Sequence, residues 1–569
     1  MKSIRLIFLL SSFFLVCGLA HSCEQENKKN IENTKSVVVV SNVFGKVEKL
    51  REVLKFHSLI DEDENWVGNK RELVVLGEKV NSDASAKSLL LLQQLKVWQQ
   101  QAESLESSVY IVLSEKELRW LLGDSAFESG GDDHWVNILA PGTELGDWLS
   151  SQNLIINLNG HLFADAGVEP QMSSYTVTDL EQRLKRNLDD FRNLWRELVE
   201  QYHSNTEAEP LDDASILNLR NNRLSEELNK YFKELVDSKI SPSYYLGNSF
   251  CHPLFEQDRF EQVLKKWNAN YLWTGRSMYK AESIEQRFDS QLYILDSLQS
   301  ENVNSELWNV VLEQDSIKIF HGTEEYIQPI LPSPDRHIYR PYGLTERQIV
   351  EFLETGKVIS RNETKEGKTK PLKVRLKKGD KELKAIFKMV NESKRERSNN
   401  IPRSGDRYAN ELAAYHFAKL LGIDLIPVTT QRVIRGKRGA IQLWIDGLVS
   451  AIPLNRKTEV YSGMCDPLAQ ESMMDVFDYL IMNHDRNQSN IVFTRSDWQI
   501  WFIDHTRAFG TGTRLPPYLK GANLKLTKKY RERINSLSKR DLKFLTEWIS
   551  ERQVEAIWKR REKLLKEDI

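Results

Sequence analysis

Cysteine is scarce in this chain, with four in 569 residues, at positions 17, 23, 251 and 465. The first two lie in the N-terminal apolar stretch, and the other two fall in what read as different domains, so no disulfide framework is expected. No Cys/His cluster has zinc spacing. A charge imbalance is missing too: 79 Lys and Arg against 81 Asp and Glu leave a net −2, which gives no overall pull toward nucleic acid or an anionic membrane. The apolar run LIFLLSSFFLV is too short to span a bilayer. What remains is an ordinary globular balance, 28% charged and 40% hydrophobic, over a length sufficient for two sizeable cores.

Lys2 and Arg5 before that run give residues 1–22 the form of a secretory signal peptide. Ala20-His21-Ser22 offers small residues at the first and third positions of a simple cleavage site, and together with Cys23 it also resembles a bacterial lipobox. Residues 23–35, largely EQENKKNIENTK, suit a flexible tether. The expectation is a bacterial protein exported to the periplasm or cell surface and anchored to the membrane as a lipoprotein through Cys23. Cleavage without lipidation is the alternative.

The first domain is expected at 36–328. KSVVVVSNVFG, ELVVLGEKVNSD and SVYIVLSEKEL each run from an apolar strand into a polar loop, and SAKSLLLLQQLKVWQQQAESL between the last two reads as a long helix. That order predicts a largely parallel arrangement with its loops at the carboxyl ends of the strands, where sites are usually built. Thr178-Asp179-Leu180-Glu181 reads as a capping box before an apolar stripe, Leu180, Leu184, Leu188, Phe191, Trp195, Leu198 and Tyr202. A second stripe uses Leu224, Leu228, Tyr231, Phe232 and Leu235. Both are expected to face the core. Asn159-Gly160 marks a hairpin, and NVVLEQDSIKIFHG two short strands.

The loops of this domain resemble those of the calcineurin-like metallophosphoesterases. Asn42-Val43-Phe44-Gly45 stands for that family's Asp-x-His-Gly, Gly77 to Asp83 for its second loop, and Ser114-Glu115-Lys116-Glu117 for Gly-Asn-His-Glu. Asp165 and Arg276 occupy two further histidine positions. The resemblance implies an α/β metallophosphoesterase-like β-sandwich with flanking helices. Two-metal hydrolysis needs carboxylates and neutral imidazoles around both ions, and Phe44, Lys116, Asp165 and Arg276 replace every family histidine. The domain therefore reads as a catalytically inactive scaffold; Glu78, Asn81 and Glu115 read as scattered surface residues, with a seat for one hard cation as the alternative.

A linker at 329–341, with proline at 329, 332, 334 and 341, leads to the second domain at 342–569, which opens on a short capped helix, LTERQIVEFLETGKV. Near its end, MNHDRNQSNIVFTRSDWQIWFIDHTRAFG holds Asp485, Asn490 after four intervening residues, and Asp504. NIVFT and WQIWFID read as strands of a hairpin turning at Arg495-Ser496-Asp497, which brings Asp504 back beside Asn490. One carboxylate to orient an acceptor hydroxyl and two oxygen ligands for a nucleotide's metal are what phosphoryl transfer asks of a protein. Upstream, Lys388 ends the alternating strand ELKAIFK, Gly367 lies in the loop before that strand, and Glu411 belongs to the helix DRYANELAAYHFAKLLG, capped by Gly422. Leu443, Trp444 and Ile445 in GAIQLWIDG have the place of a hinge.

This order resembles the protein-kinase-like fold, α+β and bilobal. NELAAYHFAKLLGIDLIPVTTQRV and IDHTRAFG resemble the secretory-pathway kinases of the Golgi casein kinase family. Asp485-Arg486 followed by Asn490 is similar to the phosphatidylinositol 3- and 4-kinases. The resemblance implies that Lys388 binds the phosphates of ATP, Glu411 holds that lysine, and Asp485 orients the acceptor. Asn490 and Asp504 would bind Mg²⁺ or Mn²⁺, while Gly367 and the Leu443 to Ile445 hinge would contact the nucleotide. An active kinase follows, transferring phosphate to a protein, sugar or lipid hydroxyl, with the first domain as substrate-recognition or scaffolding element. Residual phosphoesterase activity and a silent binding scaffold are the two alternatives.

Overall fold

The computed structural model describes residues 35–569 except 69, 83–84, 106, 125–134, 206–224, 280–282, 297–303, 315, 328–338, 365–369, 393–396, 399–400, 403–404, 523 and 567–569. The signal, tether and Cys23 readings, and Gly367, thus lie outside the described residues. The chain divides into two compact units, Met1–Leu246 with Val263–Pro332 and Gly247–Gln262 with Ser333–Ile569.

The first unit begins with strand β1, Ser36–Ser41, flanked by parallel β2, Arg71–Leu76, which pairs in parallel with β3, Val109–Ile111. A hairpin follows from β4, Ile155–Leu158, and β5, His161–Ala164, then β6, Tyr271–Thr274, β7, Glu285–Arg287, and β8, Leu292–Ile294. The last three strands are β9, Trp308–Glu313, β10, Ser316–His321, and β11, Glu324–Glu325. They make two sheets, in the orders β11-β10-β9-β1-β2-β3 and β4-β5-β6-β8-β7. The valine run of β1 explains the layering. Val38 and Val40 join a core with Val47, Leu50, Leu91, Leu95 and Trp98 of the flanking helices. Val37 and Val39 point the other way, into a core shared with Phe163, Trp273 and Tyr293 of the second sheet. A strand buried on both faces has no polar alternation, and this one has none. Asn159 and Gly160, both at positive φ, turn β4 into β5 as a two-residue hairpin loop requires.

The helix Val177–Asn205 starts before the expected cap. The Thr176 hydroxyl accepts from the Asp179 amide at 3.1 Å and donates to its carboxylate at 2.7 Å. Glu181, which the spacing offered as Thr178's partner, instead accepts from the amides of Leu154 and Ile155 at the head of β4. The stripe from Leu180 to Leu198 is buried, as are Leu228 and Leu235. Leu224 lies outside the described residues.

The second unit holds an antiparallel sheet of order β12-β13-β14-β18-β17. Its strands are β12, Lys357–Glu363, β13, Leu372–Lys378, β14, Lys381–Lys388, β17, Thr429–Ile434, and β18, Lys437–Leu443; the two-residue pair β15, Arg397–Ser398, and β16, Ile401–Pro402, forms a separate ribbon. The helix Glu346–Thr355 carries a capping box between Thr345 and Gln348, as its sequence predicts. The helix Tyr408–Leu420 ends at Gly422, whose positive φ lets Ile423 return its amide to Ala418 O at 2.9 Å. The C-terminal half is helical, with Pro467–Ile481, Lys528–Ser536 and Glu551–Lys566 around a small sheet of β19, Leu448–Ser450, β20, Ile491–Thr494, and β21, Ile500–Phe502. Among the described residues no helix is long and apolar enough to cross a membrane.

Cys251 and Cys465 form a disulfide, which corrects the expectation that they sit in different domains. The cause is an excursion of the chain: the segment Gly247–Gln262 belongs to the second unit, between two stretches of the first. Polar contacts hold it there. Arg259 donates to Asp466 at 3.0 Å, Thr527 donates to Leu254 O, and Asp258 accepts from the amides of Lys528 and Lys529. Closing so long a loop removes much freedom from the unfolded chain, so Cys465→Ser should cost about 2–5 kcal/mol. Denaturant unfolding monitored in the presence and absence of reductant checks this; no change on reduction of the native protein contradicts it.

Candidate active site of the second unit

β14 sets the first component. Leu383, Ala385 and Phe387 are buried on one face, while Lys384, Ile386 and Lys388 alternate with them. Gly439 faces the end of this strand so closely that an added Cβ would lie 2.3 Å from Lys388 O, hence no side chain fits there. Glu411 sits in the first turn of the helix Tyr408–Leu420, almost fully buried. Lys388 Nζ lies 2.5 Å from Glu411 Oε1 and 3.0 Å from Asp504 Oδ1.

The second component comes from the helix Pro467–Ile481, started by Asp466 as N-cap and ended at Met482 in the left-handed region. The chain then passes through Asp485 into β20. Arg486 is buried, bonds Asp478 at 2.7 and 3.0 Å through two nitrogens, and donates from Nη1 to the carbonyls of Asn490 and Ile503. Those carbonyls lie at the two open ends of the β20–β21 hairpin, where Ile491 pairs with Phe502. Asp504, one residue beyond the position opposite Asn490, is therefore brought beside it, and Asn490 Nδ2 donates to Asp485 O at 3.2 Å and Asp504 Oδ2 at 3.3 Å.

A cleft of about 720 Å³ gathers these groups, lined among others by Lys388, Asp485, Asn490, Asp504, Leu443, Trp444 and Ile445. That volume lies in the range of small-molecule sites. At the hinge, Trp444 donates its amide to Lys384 O at 3.0 Å, Leu443 to Val428 O at 2.8 Å, and Lys373 Nζ lies 3.8 Å from the centre of the Trp444 ring. The Thr364 amide donates to Pro371 O at 3.0 Å, on either side of residues 365–369. So the structure gathers Lys388, Glu411, Asp485, Asn490, Asp504 and the hinge at one cleft. Gly367 lies outside the described residues.

Four polar side chains at this site escaped the sequence reading. Asp478 anchors Arg486 from the last turn of the helix Pro467–Ile481. His505, fully buried, donates its backbone amide to Glu411 Oε1 at 2.9 Å and brings Nε2 to 3.3 Å from Arg486. Asp406 and Arg507 pair through two nitrogens at 2.9 and 3.1 Å, and Arg507 Nη1 reaches Asp485 Oδ2 at 3.1 Å. Only proximity in the fold relates these residues, and spacing carries no signal of it.

Electrostatics follow the geometry. Burial pushes the Glu411 carboxyl up, but Lys388 and the His505 contact more than offset it and bring it down to about 2. Burial likewise lowers the Lys388 ammonium, while Asp504 and Glu411 outweigh that and hold it above the usual lysine range. Among the described residues no three His, Cys, Asp or Glu side chains converge as a metal cage. Asp504 and the Asn490 amide oxygen are two hard donors, which fits Mg²⁺ or Mn²⁺ held jointly with nucleotide phosphates and water.

In the first unit the residues at the phosphoesterase-like loops are engaged with one another. Asn42 donates to Gly275 O at 2.8 Å and Leu295 O at 3.1 Å, and accepts from Glu78 N. Glu78 pairs with Lys116, and Arg276 pairs with Glu115 and with buried Asp165 at 3.1 Å. Burial pushes Asp165 up to about 7 against the pull of Arg276. Asn81 O accepts from Trp135 at 3.1 Å. Glu78 and Glu115, read as candidate cation ligands, are instead neutralised by protein cations.

No family model matches the chain, and no curated protein does. Among solved structures, a cold-active protein tyrosine phosphatase of a psychrophile Shewanella is similar at 20% identity and TM-score 0.39, over 51% of this chain and 80% of that one. Hydra Fam20 with sugar is similar at 15% identity and TM-score 0.30, over 39% and 87%. The Golgi casein kinase with Mn/ADP bound is similar at 15% identity and TM-score 0.29, over 39% and 74%. Likenesses this distant carry no inference about activity, and the functional reading rests on the cleft.

Glu411 contributes stability that is fully present above about pH 4.5 and is lost as pH falls toward about 2, because its folded carboxyl lies below its ordinary value. Lys388→Met leaves that buried carboxylate without its ammonium, which should cost about 3–5 kcal/mol at pH 7. The deficit should narrow in acid. Thermal unfolding of both proteins between pH 7 and 3 tests this; a deficit independent of pH refutes it.

Proposed function

We propose that the second unit is an ATP- and metal-dependent phosphotransferase acting on a hydroxyl acceptor. The carrying observation is Lys388 held at 2.5 Å from Glu411 and 3.0 Å from Asp504 in the cleft that Asp485 and Asn490 also line. Lys388 binds the nucleotide's phosphates, with Glu411 fixing its direction. Asp504 and Asn490 would hold Mg²⁺ or Mn²⁺, which would supply neutralisation of the charge on the transferred phosphoryl group. Asp485 orients the acceptor hydroxyl and takes its proton. The Leu443 to Ile445 backbone supports the nucleobase.

The protein is exported in this reading, with residues 1–22 as signal and Cys23 as the membrane anchor. Support comes from the Cys251–Cys465 disulfide, since such bonds persist in oxidising compartments. The first unit serves as an inactive phosphoesterase-like scaffold, supported by the Lys116 and Arg276 ion pairs, which place protein cations against the carboxylates that metals would need.

Mass spectrometry of the full-length chain and added peptide, sugar and lipid acceptors, after incubation with Mg- or Mn-ATP, tests the transfer. Added phosphate is expected, and Asp485→Ala should slow it about 10²–10⁴-fold. Added AMP, or transfer that survives Asp504→Ala, overturns the reading. For the first unit, the purified chain should hold substoichiometric transition metal and leave an aryl phosphate intact; hydrolysis that persists in Asp504→Ala would establish it as a live phosphoesterase.

A further inference from the structure

The Arg507 guanidinium is held more firmly than a surface ion pair requires. Its Nε and Nη2 form a fork on Asp406 at 2.9 and 3.1 Å, which fixes the guanidinium plane. The backbone on either side is clamped as well: Asn410 Nδ2 donates to Thr506 O at 2.7 Å and Ala508 O at 3.0 Å, and the Arg407 amide donates to Thr506 O at 3.1 Å. Asp406 also accepts from the Thr506 hydroxyl at 3.2 Å. From this braced position Nη1 reaches Asp485 Oδ2 at 3.1 Å. The third bond thus joins a guanidinium already braced by the fork to one oxygen of the Asp485 carboxylate, which lines the cleft.

We infer that Arg507, braced by Asp406, is a positioning residue for Asp485, fixing which carboxylate oxygen meets the acceptor hydroxyl. The inference rests on the phosphotransferase reading. It also assigns a role to the start of the Glu411 helix: through Asp406 and Asn410, the helix that orients Lys388 orients the acceptor-binding carboxylate too. Metal and nucleotide binding, left to Asp504, Asn490 and Lys388, should be indifferent to it.

Steady-state kinetics on the full chain with Mg-ATP and an acceptor that the native protein modifies provide the test. Arg507→Gln should lower kcat on the order of 10²-fold while KM for ATP stays within about twofold, because misplacement of the acceptor group costs rate and not nucleotide binding. The Mg-ATP thermal shift should persist in that variant. Arg507→Lys should recover part of kcat, Asp406→Asn should reproduce the loss, and the Asp406→Asn/Arg507→Gln double variant should be no worse than Arg507→Gln alone. If Arg507→Gln does not fold, Asp406→Asn supplies the same readout. An unchanged kcat, a KM for ATP that rises as kcat falls, or additive losses overturns the positioning role and leaves the phosphotransferase standing. A native chain that transfers nothing removes both.

Discussion

A single ammonium group ties three elements of the second unit together. Lys388 comes from β14, Glu411 from the first turn of a helix, and Asp504 from the end of the β20–β21 hairpin, and all three meet at Nζ. The buried Glu411 carboxylate and the largely buried lysine would each be costly in this setting without the other. In the proposed reading the same ammonium grips the triphosphate, so one group would serve both the fold and the chemistry. Asp504 adopts a positive φ, a conformation tolerated by Asp but uncommon outside glycine, and is kept there by contacts with Lys388 and Asn490.

A second buried pair, Arg486 with Asp478, lies behind the residues that line the cleft. Arg486 and Asp478 pair through two nitrogens, Nη1 of Arg486 donates to the two carbonyls that close the hairpin, and Nη2 also lies 3.3 Å from His505 Nε2. Burial raises the Asp478 carboxyl, yet Arg486 holds it below the ordinary range. Tyr518 adds a hydroxyl donor at 3.0 Å. The segments that carry Asp485, Asn490 and Asp504 therefore share one support, while His505 links it to Glu411. Loss of any member leaves a buried group unpaired.

Local patterns in the sequence were good guides where the structure is locally determined. The valine run, the Asn159-Gly160 turn, the Gly422 cap and the hairpin that returns Asp504 to Asn490 all follow from period, turn chemistry or strand length. The failures share a different origin. Glu181 was read as a capping partner, but the amides of Leu154 and Ile155 compete for it. The cysteine pair is 214 residues apart, joined because one short segment leaves the first unit. Asp406, Asp478, His505 and Arg507 take their roles from partners that the fold delivers, and none belongs to a spacing that physical chemistry would single out beforehand.

The cystine has a topological corollary. The stretch it encloses contains the linker and every strand of the sheet that carries Lys388. One proteolytic cut anywhere inside that stretch leaves two pieces that still migrate as a single covalent molecule until a thiol is added, so nicking there would not by itself part the residues after the cut from those before it.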